Sequence, residues 1–194
     1  AEGAQGVQRL EGMFAFAIWD ERLRTLLMGR DRMGKKPLFY HEAPGSFAFA
    51  SEIKALLRDP AITPELHAGA LPSFFVFGYV PTPETLYRGI RQVPPGHLLH
   101  VEGEGATRLT RYWDVPLPAL HDGRPPSDAE AAGRVRELLT AAVRRRLIAD
   151  VPLGAFLSGG LDSSIIVGLM SRLRREPVRT FSIEVLDLIE SRMK

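Results

Sequence analysis

A glycine-rich segment near the end of the chain carries the clearest chemistry. Residues 158–164 are Ser-Gly-Gly-Leu-Asp-Ser-Ser, and they stand between the apolar runs 151–157 and 165–170. This order predicts a strand, a glycine turn and a helix. Main-chain N–H groups at a helix N-terminus attract anions, and glycines let the backbone approach an anion closely. The segment therefore predicts a cradle for pyrophosphate, as part of a nucleotide.

The side chains of this segment support the same chemistry. Ser158, Ser163 and Ser164 add hydroxyl donors, and Asp162 supplies a carboxylate that could share a divalent cation with a phosphate. The segment lacks the Gly-x4-Gly-Lys pattern, so it is not the ordinary nucleotide P-loop. The alternative interpretation is a capped helix after a buried strand, in which the glycines serve the turn alone.

Composition excludes several classes of protein. With 45% hydrophobic and 25% charged residues, the 194-residue chain is typical of a soluble protein of one or two domains. The net charge of +2 favours no nucleic-acid partner. The absence of cysteine excludes a disulfide framework and a thiol nucleophile within these residues. No apolar run suits a membrane span and no signal peptide begins the chain, so we expect a cytoplasmic protein.

Short apolar segments with turn signals predict an antiparallel sheet in the first half of the chain. The predicted strands are residues 12–19, 25–28, 38–40, 46–50, 96–101 and 107–112. A helix is predicted over 51–57 with Ser51 as its N-cap. A second helix is predicted from residue 63, with Pro64 at its first position and Pro72 as an interruption.

The composition changes after the last of these strands. Residues 115–126 hold four prolines and a glycine, which is typical of a linker. Ser127 and Glu130 form a capping-box pattern, and apolar residues follow at helical spacing, so a helix is predicted over about 128–148. A strand over 151–157 then leads into the glycine-rich segment.

Five motifs in this order resemble glutamine-hydrolysing asparagine synthetase. They are residues 12–20 (GMFAFAIWD), 29–40 (GRDRMGKKPLFY), 50–56 (ASEIKAL), 94–97 (PPGH) and 158–164 (SGGLDSS). The resemblance extends from about residue 10 to residue 183. In that family, glutamine is hydrolysed by an N-terminal cysteine, and the ammonia attacks a β-aspartyl-AMP formed from aspartate and ATP.

The resemblance implies a fold and a domain organisation. Residues 1–114 would be the C-terminal part of a class II glutamine amidotransferase domain, an α+β sandwich of the Ntn-hydrolase type. Residues 115–126 would be the linker. Residues 127–194 would be the N-terminal part of an α/β parallel-sheet domain, the PP-loop ATP pyrophosphatase domain.

The resemblance also implies site residues. Asp31 would bind the α-amino group of glutamine, although a residue that caps its own turn remains the alternative, and Arg30 and Arg32 would hold that loop. The implied ATP-binding residues are Leu157, Ser158, Gly159, Gly160, Asp162, Ser163 and Ile183. Asp162 would also bind Mg²⁺, and core packing is the alternative for Ile183. Glutamine, aspartate and ATP would be the substrates, no nucleic acid or membrane is implied, and a homodimer is allowed.

The match to the family has gaps. The cysteine nucleophile is absent, no catalytic residue can be assigned, and the residues after Ile183 depart from the family, where a glycine is expected near Glu184. We therefore expect a truncated or frame-shifted fragment that is inactive when isolated. Two alternatives stay open: a non-catalytic nucleotide-binding remnant, and a fragment of a related amidotransferase or β-lactam synthetase with another acceptor.

Overall fold

The chain folds into two units, residues 1–117 and residues 118–194. The computed structural model describes residues 3–103, 106–116 and 125–183. The predicted linker over 115–126 lies largely outside the described residues, and residues 184–194 lie outside them entirely.

An antiparallel sheet of four strands forms one layer of the first unit. Its strands are β1 (Ala15–Asp20), β2 (Thr25–Arg30), β6 (His97–Val101) and β7 (Thr107–Arg111), in the order β1-β2-β6-β7. Ala15 pairs with Arg30 in the first hairpin, and His97 pairs with Arg111 in the second. Strands from the beginning and from the end of this unit therefore lie in the same sheet. The predicted strands over 12–19, 25–28, 96–101 and 107–112 are confirmed in type, with small shifts of their ends.

A second antiparallel sheet packs against the first. It contains β3 (Phe39–Ala43), β4 (Ser46–Ala50) and β5 (Ile90–Gln92), in the order β4-β3-β5. The core between the sheets holds Met28 and Leu99 from one sheet and Tyr40 from the other, together with Leu38, Val93 and Val101. Because successive strand residues face opposite sides, Phe39 packs on the other face, against Leu56, Ile62 and Ile90.

The helices of the first unit correct two predictions. Helix α1 is short, Ile53–Leu56, and its N-cap is Glu52 without a side-chain cap, so the predicted Ser51 cap is wrong. No helix forms from residue 63; Leu66 instead bridges Tyr87 in extended backbone. Helix α2 is Leu71–Phe77. Pro72 lies in the first turn of α2, where the main-chain N–H that proline lacks would have no partner within the helix. Pro72 therefore lies at the start of a helix, whereas it was predicted to interrupt one.

Two helices and a parallel strand pair form the described part of the second unit. Helix α3 (Asp128–Arg144) begins with the predicted capping box between Ser127 and Glu130 and ends before the predicted residue 148. Strands β8 (Gly154–Phe156) and β9 (Arg179–Phe181) pair in parallel, and α4 (Leu161–Leu173) connects them. This is the predicted strand, turn and helix, with a shorter strand and an earlier helix start.

No helix in the described ranges has the length and apolar character needed to cross a bilayer.

Candidate functional site

The first candidate site lies where β2 ends, at Arg30 and Asp31. Both side chains are buried, with only 6% and 1% of their surface exposed. The Asp31 N–H donates to the Phe14 carbonyl at 2.9 Å, which continues the pairing of β2 with the segment before β1. An arginine and an aspartate buried side by side require hydrogen bonds for nearly all of their polar atoms.

The Asp31 carboxylate organises the loop that follows it. Its Oδ1 accepts the main-chain N–H of Met33 at 3.1 Å and that of Lys35 at 3.0 Å, and its Oδ2 accepts that of Lys36 at 2.9 Å. Three main-chain donors on one carboxylate hold the loop 31–36 in a closed turn. The Lys35 and Lys36 side chains are exposed.

The Arg30 guanidinium closes the same loop from the other side. It donates to the carbonyl oxygens of Lys36 at 2.8 Å, Gly34 at 2.7 Å and Val93 at 2.7 Å. Burial lowers the pKa of Arg30, and the neighbouring Asp31 carboxylate opposes that shift. The prediction that Arg30 holds the loop is therefore confirmed.

The segment before β6 completes this corner of the unit. The Gly96 N–H donates to the Asp31 carbonyl at 3.0 Å, and the Tyr112 hydroxyl donates to the Arg30 carbonyl at 2.8 Å. Burial raises the pKa of the Tyr112 hydroxyl. Sequence reasoning missed Val93 and Tyr112, because they lie far along the chain and carry no motif of their own.

These contacts bear on the predicted glutamine contact of Asp31. The hydrogen bonds of its carboxylate to described residues all stay within its own loop, and 1% exposure leaves little room for a ligand. The geometry favours the turn-capping alternative. The contact with the α-amino group of glutamine stays a prediction.

The second candidate site is the turn between β8 and α4. Gly159 has a φ of +79°, a left-handed conformation that a side chain with a Cβ rarely adopts. A Cβ at Gly159 would meet no atom of the described residues within 4 Å, so the space above the turn is open with respect to them. The helix N-cap is Gly160, which has no side chain to cap the first-turn N–H groups. The turn thus leaves main-chain donors free to meet a ligand.

Serine hydroxyls brace this turn. Ser158 Oγ lies 3.1 Å from Ser163 Oγ, and the hydroxyls of Ser163 and Ser164 donate to the Gly160 carbonyl at 3.1 Å and 2.8 Å. Asp162 is exposed in the first turn of α4. The structure therefore brings Ser158, Gly160, Asp162 and Ser163 to one helix end, as the sequence predicts.

Two apolar residues flank the turn. Leu157 is half-buried, and its N–H donates to the Phe181 carbonyl at 2.9 Å. Ile183 follows β9 and is 84% exposed. The adenine contact and the core alternative for this residue both stay predictions.

The donors of this turn suit a magnesium ion held together with a phosphate. No group of three or more histidine, cysteine or acidic residues that could bind a metal occurs among the described residues. Asp162 is a single exposed carboxylate beside hydroxyls. Mg²⁺ commonly takes one or two carboxylates and completes its shell with phosphate oxygens and water, so this turn fits that mode of binding.

Comparison with known proteins assigns the first unit. The family model for the glutamine amidotransferase domain matches residues 1–113. This chain belongs to that family. The family model for asparagine synthase matches residues 134–193, which include the turn between β8 and α4. This match continues past Ile183, so the expectation that the chain departs from the family there is wrong.

Curated relatives carry both parts in the same order. The chain is 40% identical over 183 residues to asparagine synthetase (glutamine-hydrolyzing) 3 of Bacillus subtilis, covering 92% of this chain and 29% of that protein. It is 40% identical over 174 residues to a putative asparagine synthetase (glutamine-hydrolyzing) of Mycobacterium tuberculosis H37Rv, covering 88% and 26%. It is 35% identical over 176 residues to the amidase chyE of Penicillium rubens, covering 90% and 25%. The chain thus spans less than a third of the length of these relatives.

Proposed function

We propose that this chain is part of a glutamine-dependent, ATP-consuming asparagine synthetase. The observation that carries the proposal is the order of the two family matches, an amidotransferase domain followed by an asparagine synthase segment. The proposed reaction moves the amide nitrogen of glutamine to the side-chain carboxyl group of aspartate, and ATP activates that carboxyl group as an adenylate. Glutamine, aspartate and ATP are the proposed substrates, and the cytoplasm is the proposed location.

We propose a finer fold for each unit. The two packed antiparallel sheets of the first unit suit an Ntn-hydrolase-type sandwich, in which β1 would be an edge strand of the first sheet. The parallel pair β8 and β9, joined through α4, suits the first βαβ unit of a PP-loop ATP pyrophosphatase domain.

In the second unit, the main chain would bind the phosphates of ATP. The first-turn N–H groups of α4 and the open space above Gly159 accept an anion without rearrangement. Ser158 and Ser163 would donate their hydroxyls. Asp162 would hold Mg²⁺, which when bound neutralises phosphate charge during attack on the α-phosphate. The flat adenine would lie against the exposed Ile183.

In the first unit, Arg30 and Asp31 would position the loop 31–36 for the amidotransferase site. The sequence contains no cysteine. Without a thiol nucleophile, the covalent route for glutamine hydrolysis is absent, so we propose that the isolated chain does not hydrolyse glutamine.

The function has a second candidate. It is a related amidotransferase that uses another acceptor, because one relative that aligns with both units is named an amidase and not an asparagine synthetase.

Titration with Mg–ATP tests the nucleotide site. We expect weak binding by the isolated chain, with a dissociation constant on the order of 1 mM. Gly159→Val should abolish it, because a β-branched residue is strained at a φ of +79° and its side chain would fill the open space. Asp162→Ala should remove the dependence on Mg²⁺.

Gly168→Ala is the matched control, because a Cβ at Gly168 in the middle of α4 meets no atom within 4 Å in the part of the chain that the structure describes, and its backbone is helical. We expect it to bind like the unsubstituted chain. If Gly159→Val and Asp162→Ala both bind Mg–ATP as tightly as the unsubstituted chain, the anion binds elsewhere and the proposed nucleotide site is contradicted.

A further inference from the structure

The residue immediately before the glycine turn is held by its neighbour strand through both of its main-chain polar groups. The Leu157 N–H donates to the Phe181 carbonyl at 2.9 Å, and the Leu157 carbonyl accepts the Ser182 hydroxyl at 2.6 Å. Ser182 directly follows β9. A short O–H···O bond of this kind is a well-formed hydrogen bond.

The Ser182 hydroxyl occupies the position of a ladder donor. β8 and β9 pair in parallel, with Phe156 opposite Phe181. In a parallel ladder that continued, the next main-chain N–H, that of Ile183, would donate to the Leu157 carbonyl. A side-chain hydroxyl donates instead, so the sheet ends here while the carbonyl stays fixed.

Fixing this carbonyl also fixes the first donor of the turn. A trans peptide unit is planar, and its C=O and N–H point in opposite directions. With the Leu157 carbonyl directed at Ser182, the Ser158 N–H points away from β9. The Ser158 N–H donates to no described residue, and the Ser158 hydroxyl is linked to Ser163 on α4.

We propose that Ser182 is a positioning residue of the nucleotide site: its hydrogen bond to the Leu157 carbonyl orients the Ser158 N–H towards the bound phosphates. This inference rests on the proposed nucleotide-binding function of the turn. Ser182 itself touches the strand end and acts through the 157–158 peptide unit.

The test compares three variants of the 194-residue chain with the unsubstituted chain. Ser182→Ala removes the hydroxyl, and Ser182→Thr keeps it. Ser171→Ala removes an exposed serine near the end of α4 and serves as the control. Each chain is titrated with Mg–ATP, the main-chain amide signal of Ser158 is followed by NMR, and stability is measured by denaturant unfolding.

We expect Ser182→Ala to weaken Mg–ATP binding about fivefold to tenfold, as the loss of one hydrogen bond predicts, and to shift the Ser158 amide signal without ligand. Ser182→Thr should restore both, and Ser171→Ala should change neither. A merely structural role would lower the denaturation midpoint and leave the Ser158 signal and the affinity of the folded chain unchanged, which would overturn the proposal.

The two proposals fail in different ways. If the unsubstituted chain does not bind Mg–ATP, the nucleotide-binding function fails, and the Ser158 amide signal of Ser182→Ala alone then decides whether Ser182 orients the peptide unit. If the unsubstituted chain binds and Ser182→Ala binds equally well, the positioning role fails and the function stands.

Discussion

Arg30 Nη1 donates to the Val93 carbonyl oxygen at 2.7 Å and so joins the end of β2 to a residue 63 positions later in the chain. The same guanidinium closes the loop 31–36 through two further carbonyls. One buried side chain therefore connects the end of the inner strand β2, a loop and the segment that leads into β6. The planar fork of arginine can serve three carbonyls at once, whereas a lysine ammonium at the end of a flexible stem cannot match that geometry.

Replacement of Arg30 by lysine should destabilise the first unit. The charge is kept, but at least two of the three charge-assisted hydrogen bonds are lost, and carbonyls that are buried or partly buried are left unpaired. We expect the free energy of unfolding to fall by about 3 kcal/mol, measured by urea denaturation.

Arg22→Lys is the control for this experiment. Arg22 is an exposed arginine in the turn between β1 and β2, so its replacement should change the stability by less than about 0.5 kcal/mol. An equally small effect of Arg30→Lys would show that the hydrogen bonds of its guanidinium contribute little.

Asp31→Asn should also destabilise the first unit, by about 2–4 kcal/mol. The carboxamide keeps one acceptor oxygen, but its NH₂ group would face a main-chain N–H that now donates to the carboxylate. Asp20→Asn is the matched control, because Asp20 accepts one main-chain N–H in an exposed turn. We expect its cost to be under about 1 kcal/mol.

The same unfolding experiment tests the predicted glutamine contact of Asp31. A ligand that binds only the folded chain raises its stability by mass action. If glutamine stabilises the unsubstituted chain and fails to stabilise Asp31→Asn, the contact with the α-amino group is supported. An equal effect of glutamine on both chains would contradict it and leave loop closure as the role of Asp31.

The sequence predicted those elements whose signal is local. The capping box at Ser127 and Glu130 marks the start of α3 in the sequence and in the structure. Each side chain accepts the main-chain N–H of the other residue within one turn, so the signal is local. The antiparallel pairing of β6 with β7 was predicted from two short segments that are close together in the sequence. The glycine turn at 158–160 was predicted from the residue types that a helix N-terminus at a bound anion requires.

The elements that were missed depend on distant contacts. Strand β5 has three residues and forms because Arg91 lies opposite Tyr40 on β3, which no local pattern reveals. The helix predicted from residue 63 does not form, because Leu66 pairs instead with Tyr87 in an antiparallel bridge, a contact between residues distant in the sequence. Ser182 carries no motif either, because its significance depends on which carbonyl β9 places beside it.

His100 should make the stability of the first unit depend on pH. It lies on β6 opposite Arg108 on β7. Burial lowers the pKa of His100, the Arg108 charge lowers it further, and Glu102 partly opposes these effects. In the unfolded chain, the histidine recovers its ordinary pKa of about 6.5.

The sign follows from proton binding. As the pH falls through about 6.5, the unfolded chain takes up a proton before the folded chain does, so the free energy of unfolding decreases until the lowered pKa of folded His100 is passed. His100→Gln should remove this component. Arg108→Gln should weaken it, because the repelling charge is gone while burial remains.

Urea denaturation of each chain between about pH 8 and about pH 5, the range in which histidine titrates, measures the effect. The free energy of unfolding of the unsubstituted chain, compared with that of His100→Gln, should differ by a constant amount at the upper end of this range. As the pH falls, the unsubstituted chain should lose stability relative to His100→Gln. His41→Gln, on β3 in the second sheet, controls for the loss of a strand histidine elsewhere in the unit. A difference that stays constant over the whole range would mean that His100 has the same pKa in the folded and unfolded chains. The expected lowering of its pKa by burial on β6 would then be contradicted.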